Sequence, residues 1–490
     1  MDTHNASETP DHLVLAMDML IGDPEVLKPD KDTPMLARNL YIPKRFAYHN
    51  FYSFHEDSTR GDAAREVLAI IDEHQINSGN AVEFALDNGS TLHIEDVPRN
   101  LSSGLEKSEA SHEAIALTKR LISSKKKAKL MTGSGRLPVV ARLEKLDVLK
   151  YNVEPYLGRR SLRLPWDYTA QWYTNRKITP EMWAEFFPDE LPLKYNEFVS
   201  FKKVQGQSYS DFNWIGRFDP EQDALVPLKY VHRLKPFGVY PLNDGQAMVM
   251  EGLMAPPDVI TNVIISGQYG TGKTFLTLAV ALAKTEGNGD KSIYDQIVVC
   301  PSDSALGNEQ GYLKGDLLDK MRPALGPVED SLRSLIKMRG ANTQQQHIEP
   351  EDDYNGNKRK RKQYQPQSKV LPQMTLKSQI DWYMLDSGLF DFKPIIFMRG
   401  RSIPNSIIMC DEWQDSDRRQ SKRLLTRPAV GSKFVALGDP TQLGNPHLTA
   451  SSNGLVYASR LCSNDPNSVV VTLFKEESVR NPQTAAMFDK

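Results

Sequence analysis

The stretch "VIISGQYGTGKTFLTLAVAL", residues 263–282, decides how the second half of the chain is interpreted. An apolar run of strand type passes into a glycine-rich turn and then into an apolar run typical of a helix. The turn has phosphate-loop spacing, with Gly267, Gly272, Lys273 and Thr274 at the required positions. Backbone N–H groups in such a turn can surround a phosphate, and the N-terminal end of the following helix adds positive potential. We therefore predict that this turn binds a nucleoside triphosphate.

All residues of the turn are candidates for nucleotide binding. They are Gly267, Gln268, Tyr269, Gly270, Thr271, Gly272, Lys273 and Thr274. The lysine supplies a point charge for the β- and γ-phosphates, and the threonine offers a hydroxyl group to Mg²⁺. A chance match to the pattern is the alternative, and the strand and helix on either side of the turn argue against it.

A second buried strand, "SIIMCDEWQD", ends in a pair of acidic residues. Asp411 at the carboxyl edge of a sheet can hold Mg²⁺, and Glu412 beside it can orient and deprotonate the attacking water. An exposed acidic pair at a strand end is the alternative, and its position downstream of a phosphate loop favours the catalytic interpretation. For Trp413 we expect burial against the strand rather than an exposed stacking face.

Three further residues are candidates on local context. Gln442 follows the strand of "FVALGDPTQLGNP" and can bridge the γ-phosphate and a moving element. Arg480 follows the strand of "VVVTLFKEESVRNP" and can stabilise charge on the transferred phosphoryl group. Gln246 in "YPLNDGQAMVMEGL" begins a helix upstream of the phosphate loop, and its amide can read the adenine edge. Taken alone, the tripeptide Gly438-Asp439-Pro440 is also compatible with a simple turn, and Arg480 with a surface position.

The chain divides into three predicted parts. Residues 11–155 resemble an α/β domain, and residues 156–235 indicate a small β module or linker. Residues 236–490 alternate strands and helices, which is typical of a parallel sheet. Within that part, residues 339–369 are polar and glutamine-rich and contain "KRKRK", so we predict a mobile basic insertion that contacts nucleic acid or is simply solvated.

Composition sets broad limits on function. The chain has 490 residues, 40% of them hydrophobic and 25% charged, with a formal net charge of −2. These values are ordinary for a globular protein and neither require nor exclude nucleic acid. No apolar run reaches the length of a membrane span, no secretory signal is visible, and the three cysteines form no metal-spaced pair. We therefore predict a cytoplasmic protein without a disulfide framework or membrane segment.

These motifs, in this order, resemble the first motor lobe of superfamily 1 helicases and, more closely, the PhoH family of ATPases. The resemblance also includes "GYLKGDLLDKM" and "MRGRSIPNSIIMCDEWQD". It implies a RecA-like P-loop NTPase domain that binds and hydrolyses ATP with Mg²⁺, assembles into a homo-oligomer such as a hexameric ring, and unwinds or processes RNA. By this resemblance, Gln246 reads adenine, Gln442 couples hydrolysis to movement, and Arg480 senses the γ-phosphate.

Residues 11–155 resemble a PIN nuclease domain, whose chemistry requires several carboxylates around Mg²⁺ or Mn²⁺. The residues at positions where that resemblance predicts acid are Ala16, Ser111 and Ser134. Nearby carboxylates that can substitute are Asp18, Asp23, Glu109 and Glu113. A substituted set would have to arise at every position together, so we predict a PIN-like fold that is catalytically degenerate.

We therefore expect an Mg²⁺-dependent ATPase coupled to remodelling of RNA or DNA. Basic surface for phosphates is available in "SSKKKAK" and in Arg38, Lys44 and Arg45, although a solvated helix end also explains the lysine run. One alternative is an ATP-coupled ribonuclease with a shifted PIN active site. Another is an ATP-switched adaptor that binds single-stranded nucleic acid and unwinds nothing.

Overall fold

The structure is a computed structural model. It describes residues 10–16, 19–20, 23–29, 35–44, 59–78, 82–97, 110–133, 137–151, 155–164, 172, 174–202, 212, 214–232, 235–287, 292–301, 321–345, 374–394, 398, 402–445 and 448–479.

The chain forms two compact units, Met1–Glu154 and Pro155–Lys490. The break between them agrees with the first predicted boundary, at residues 155 and 156. The second predicted boundary, at residues 235 and 236, does not separate compact units, because the β module belongs to the same unit as the C-terminal sheet.

The first unit is built on a six-stranded sheet in the order β3-β4-β2-β1-β5-β6. The strands are β1 (His12–Leu15), β2 (Asn39–Pro43), β3 (Glu83–Ala85), β4 (Thr91–Glu95), β5 (Ala128–Thr132) and β6 (Val148–Lys150). All pairs are parallel except β3 with β4, which form the predicted hairpin around Asn88-Gly89. Gly89 takes φ +87°, a conformation that glycine adopts without steric cost.

Helices cover this sheet. They are α1 (Thr59–Ser78), α2 (Ala110–Ser123) and α3 (Leu137–Leu143). Helix α2 buries Ile115, Leu117 and Leu121 against β1 and β5, and α1 buries its own apolar stripe in a separate cluster. Leu13 and Leu15 pack in one of these clusters and Val14 in the other, which explains why β1 is apolar after His12.

The second unit opens with a four-stranded sheet in the order β10-β9-β8-β7. Its strands are β7 (Arg159–Leu162), β8 (Phe198–Phe201), β9 (Ile215–Asp219) and β10 (Ala224–Pro227), and helix α4 (Pro180–Phe186) packs beside them. An aromatic cluster that includes Trp172, Trp183 and Phe201 forms its core. The sequence prediction of a small β module is confirmed for this segment.

The C-terminal sheet has six strands in the order β13-β12-β14-β15-β11-β16, and every described pair is parallel. The strands are β11 (Asn262–Gly267), β12 (Gln296–Cys300), β13 (Phe390–Phe392), β14 (Ser406–Cys410), β15 (Lys433–Gly438) and β16 (Ser468–Leu473). The helices are α5 (Asp244–Met254), α6 (Lys273–Glu286), α7 (Gly326–Gln345), α8 (Leu376–Asp381), α9 (Arg418–Leu424) and α10 (Gly454–Cys462). Separate apolar clusters lie on the two faces, so β11, β14 and β15 are buried on both sides as their sequences predict.

Helix α7 continues to Gln345, beyond the predicted start of the insertion at residue 339. Arg339 is held there by an ion pair with Glu286 at the end of α6 (3.1 Å) and a hydrogen bond to the Tyr383 hydroxyl (3.0 Å). The polar composition after this residue concealed the last turns of the helix, because it contains no apolar periodicity from which a helix could be predicted. The "KRKRK" run lies outside the described residues.

None of the described helices combines the length and the apolar character that crossing a membrane would require.

Candidate nucleotide site

The phosphate loop lies where β11 ends and α6 begins. Gly267, Gly270 and Gly272 take φ values of +153°, +78° and +90°, which side chains with a Cβ adopt poorly. A Cβ at Gly267 would also lie 2.7 Å from the carbonyl oxygen of Leu473. Glycine is therefore required at Gly267 by both conformation and space. The loop lies at the start of α6, where backbone amides and the helix N-terminus can bind an anion.

Lys273 is the first residue of α6, and its side chain lies across the loop. The ammonium donates to the carbonyl oxygens of Gly267 (2.7 Å) and Gln268 (3.0 Å). The loop is further closed by the buried Thr271, whose hydroxyl donates to Gln268 O at 2.8 Å. The ammonium is thus located over the loop, where a phosphate group would be bound.

Thr274 and Asp411 meet across the carboxyl edge of the sheet. The hydroxyl of Thr274 donates to Asp411 Oδ2 at 2.8 Å, which brings together the two predicted Mg²⁺ ligands from separate elements. Burial raises the pKa of Asp411, while hydrogen bonds from Thr274 and the Glu412 amide, and the charge of Lys273, oppose that rise. An oxygen-only pair of hydroxyl and carboxylate fits the ligand preference of Mg²⁺.

Glu412 follows Asp411 in a left-handed conformation, at φ +53° and ψ +42°. Its amide donates to Asp411 Oδ1 at 3.0 Å, and its carboxylate accepts from Gln414 Nε2 at 2.6 Å. Desolvation raises the pKa of Glu412, and the Gln414 hydrogen bond lowers it, with a further upward contribution from Asp411. The backbone thus leaves the extended strand conformation at Glu412 in a left-handed conformation that is uncommon outside glycine. The carboxylate contacts Gln414 and lies within electrostatic range of Lys273.

Gln414 was not identified from the sequence as a site residue, yet it connects three parts of the site. Its side chain is 1% exposed, and besides Glu412 it donates to Gln442 O (2.8 Å) and accepts from the Asp439 amide (3.0 Å). A Cβ at Gly438 would overlap Gln414 Oε1. The sequence signal that could have indicated Gln414 is Gly438 at the end of β15, because the absence of a Cβ there leaves the space that the Gln414 amide fills.

Trp413 is fully buried, and its ring lies edge-on against Phe434 at 5.6 Å between centroids. The expectation of burial rather than stacking surface is confirmed.

Gln442 is exposed, and its amide donates to Asp439 Oδ2 at 3.0 Å. Asp439, 5% exposed, also accepts from the Thr441 amide (3.0 Å) and hydroxyl (2.7 Å) through Oδ1. Gln442 was predicted from the sequence, whereas Asp439, which orients it, was not. Because Gln414 binds both residues of this turn, Glu412 and Gln442 are linked through one buried amide.

Gln246 lies in the first turn of α5, which Asn243 caps by accepting from the Gln246 amide at 2.9 Å. Its side chain is 3% exposed and is bonded at both ends: Oε1 accepts from Leu242 N (2.9 Å), and Nε2 donates to Thr271 O (3.1 Å). The structure therefore places this residue against the phosphate loop. Its adenine-reading role stays a prediction, and would require the amide to exchange these backbone partners.

Tyr269 is half-buried in the loop. Arg480 lies outside the described residues, which end at Val479. The Val479 amide donates to Gly270 O at 3.0 Å, so the chain before Arg480 reaches the phosphate loop.

The structure describes two of the four carboxylates that could substitute in a PIN active site of the first unit. Asp23 and Glu113 are buried, and Asp23 accepts from the Tyr151 hydroxyl at 2.8 Å. Ala16 is buried at the end of β1. Asp18, Glu109 and Ser134 lie outside the described residues, as does the side chain of Ser111. Among the residues that are described, no three His, Cys, Asp or Glu side chains cluster closely enough to hold a metal ion.

The three cysteines, Cys300, Cys410 and Cys462, are buried free thiols. The predicted absence of a disulfide framework holds for all of them.

A parallel sheet, a phosphate loop between β11 and α6, and a carboxylate from β14 bonded to the threonine of that loop define a P-loop NTPase. A family model described as PhoH-like protein matches residues 238–490, which is more than half of the chain. The chain therefore belongs to the PhoH-like family, as the resemblance of its motifs predicted.

Curated relatives agree with this assignment. The chain is 27% identical over 451 residues to protein PhoH2 of Bacillus subtilis (strain 168), covering 87% of this chain and 89% of the relative. It is 26% identical over 223 residues to a PhoH-like protein of the same strain, covering 46% of this chain and 56% of that relative. Protein PhoH of Escherichia coli (strain K12) is 26% identical over 219 residues, covering 45% of this chain and 49% of that relative. The match to PhoH2 covers more of the chain than the second unit contains, so it includes part of the first unit.

Proposed function

We propose that this protein is an Mg²⁺-dependent ATPase that couples ATP hydrolysis to remodelling of RNA or another single-stranded nucleic acid. The observation that carries the proposal is the 2.8 Å contact of Thr274 Oγ1 with Asp411 Oδ2 beside the Lys273 ammonium. Separate elements bring a hydroxyl, a carboxylate and a cation to the start of one helix. That combination suits a metal-bound triphosphate better than it suits packing.

The residues divide the work. Loop amides bind the phosphates, and Lys273 exchanges its carbonyl partners for the β- and γ-phosphate oxygens. Thr274 and Asp411 would hold Mg²⁺, which supplies charge neutralisation on the phosphates when bound. Glu412 orients and deprotonates water. Gln246 is proposed to read the adenine edge.

Coupling to movement is assigned to the turn that follows β15. Gln442 is held by Asp439 and, through Gln414, by Glu412, so a change at the catalytic carboxylate is transmitted to this turn. Arg480 completes the proposal as the γ-phosphate sensor, since the chain before it contacts Gly270.

We further propose a homo-oligomer, with a hexameric ring as one form, acting in the cytoplasm. The support is indirect: the C-terminal part forms one P-loop sheet, and remodelling a strand requires a second surface, which a neighbouring subunit can supply. Arg38 of the first unit is 78% exposed and lies 4.0 Å from Asp11, a surface pair that a nucleic-acid phosphate could displace.

The first unit is proposed to be a PIN-like domain without nuclease activity. Its parallel sheet with a hairpin edge supports the fold, and Ala16 at the end of β1 supports the loss of chemistry. Cleavage of labelled RNA with Mn²⁺ that is abolished by Asp18→Asn and retained in Lys273→Ala would contradict this part.

The test of the ATPase is Glu412→Gln. The variant should still bind ATP, while turnover falls by about a hundredfold or more because the general base is lost. ATPase rates are measured with and without single- and double-stranded RNA and DNA. Wild-type turnover in Glu412→Gln would refute the assignment of the base. A flat response of the wild type to every nucleic acid would favour the adaptor over the remodelling enzyme.

A further inference from the structure

Strand β7 of the β module carries a buried arginine that points at the C-terminal sheet. The Arg159 side chain is 6% exposed, and its Nη1 donates to Glu477 Oε1 (2.9 Å) and Oε2 (2.7 Å) and to Thr472 O (3.3 Å). The guanidinium also lies over the ring of Phe474, 4.5 Å from its centroid. The β module is therefore fixed to the end of β16 by charge as well as by packing.

The Glu477 carboxylate is shared with a second element. It accepts from the Gly245 amide at the start of α5 (2.9 Å) and from the Phe474 amide (2.9 Å), and the Glu477 carbonyl accepts from Asn243 Nδ2 (3.1 Å). A Cβ at Gly245 would overlap both Glu477 Oε2 and Arg159 Nη1. The ion pair thus sits directly against the first turn of α5, and glycine at that position makes room for it.

Both elements that Glu477 joins lead to the phosphate loop. Gln246 follows Gly245 and donates to Thr271 O at 3.1 Å. On the other side, Val479 lies two residues after Glu477, and its amide donates to Gly270 O at 3.0 Å. The loop is therefore supported at two points by segments whose common anchor is one carboxylate.

We infer that Arg159 of the β module is a positioning residue of the nucleotide site, acting through Glu477 on the start of α5 and on the segment that reaches Gly270. This inference rests on the proposed ATPase function. The physical basis is the burial of Glu477, which is 12% exposed. Without its cation, a largely buried carboxylate loses the partner that offsets its desolvation and turns towards solvent, which releases the segments that it holds.

The experiment compares Arg159→Met with Arg160→Met in the full-length chain. Arg160 is the next residue of β7 and also makes an ion pair, with the buried Glu197 of the same module (2.6 and 3.1 Å), without a described contact to the phosphate loop or its supports. Both variants lose a cation that pairs with a carboxylate shielded from solvent, so both are expected to lose stability. Only Arg159→Met should weaken binding of a fluorescent ATP analogue, by about tenfold, and raise the KM for ATP by a similar factor, with a smaller effect on kcat.

Two further variants separate positioning from folding. Arg159→Lys keeps a donor cation and should recover part of the lost affinity. Gly245→Ala keeps both charges and displaces the pair, so it should weaken nucleotide binding even if Arg159→Met fails to fold.

The outcomes are distinguishable. Equal changes in nucleotide affinity for Arg159→Met and Arg160→Met, or unchanged affinity in folded Arg159→Met or Gly245→Ala, overturn this inference and leave the ATPase proposal standing. Wild-type protein that neither binds nor hydrolyses ATP overturns the ATPase proposal, and the inference with it.

Discussion

Replacing Gln414 by methionine would test whether the buried amide beside Glu412 organises the catalytic carboxylate. Methionine keeps a similar volume and removes every hydrogen bond of the amide. The lost contacts are those to the Glu412 carboxylate (2.6 Å), the Gln442 carbonyl (2.8 Å) and the Asp439 amide (3.0 Å). Gln414 is the described hydrogen-bond partner of the Glu412 carboxylate, so this carboxylate would be less restrained in the variant.

The magnitude follows from the charged hydrogen bond. A bond to an ionised group contributes about 1.5–3 kcal/mol, and about 1.4 kcal/mol corresponds to a factor of ten in rate. If the whole contribution orients the base in the transition state, kcat falls by about tenfold to about a hundredfold. The KM for ATP should change little, because Gln414 has no described contact with residues 267–274.

The direction of the pH dependence gives a second readout. The Gln414 hydrogen bond lowers the pKa of Glu412, so its loss raises that pKa. A general base works only when deprotonated, and the acid limb of the kcat profile should therefore move to higher pH in Gln414→Met.

The matched control is Gln420→Met. Gln420 also bonds backbone through its amide, accepting from Asp417 N at 2.9 Å in the cap of α9, and has no described hydrogen bond to Glu412. It should lose about 1 kcal/mol of stability and retain kcat. Equal kcat in Gln414→Met and wild type, or a loss of rate without any shift of the acid limb, would refute the reasoning.

Two predictions concern stability. Lys433 is buried and donates to the Gly252 and Ala255 carbonyls (2.8 Å each) at the end of α5, so Lys433→Met should lower the free energy of unfolding by about 2–4 kcal/mol, measured by urea denaturation. Burial lowers the pKa of His93, so the unfolded chain takes up the proton more readily, and the first unit should lose stability as pH falls below about 6.5. Hydrogen exchange of β4 in the full-length chain, corrected for intrinsic pH effects, would show this loss. The loss of stability on acidification should be smaller in His93→Gln. If the stability of wild type and variant depends on pH in the same way, His93 is not the responsible group.

The sequence was most informative where one local pattern determines both structure and chemistry. The phosphate loop needs glycines at fixed spacing between a strand and a helix, so Gly267, Lys273 and Thr274 could be located before the fold was known. Buried parallel strands such as β11 and β14 are continuously apolar, and their carboxyl ends share one edge of the sheet, which predicted that Thr274 and Asp411 would meet.

The contacts that tune the site escaped the sequence because they join residues far apart in the chain. Nothing in the local sequence distinguishes Gln414 or Asp439 from other turn residues. The parallel pairing of β14 with β15 brings them together. Arg159 and Glu477 are separated by more than half of the chain, and nothing in either local sequence marks them as partners. Gln246 was predicted from its place at a helix start upstream of the phosphate loop and from the family resemblance, whereas its backbone partners depend on how α5 packs.

Strand β16 lies at the margin of the C-terminal sheet, and the segment before β7 covers part of it. The Thr472 amide donates to Leu157 O at 3.0 Å, and Asn196 Nδ2 donates to the carbonyls of Pro466 (2.7 Å) and Ser468 (3.0 Å). A fragment cut at residue 238, where the family match begins, would bare these groups to solvent and to other chains. Such a fragment should self-associate through strand addition. A fragment that begins at Pro155 keeps the residues that cover β16 and should not associate in this way. The smallest fragment that avoids this association is therefore larger than the family match suggests.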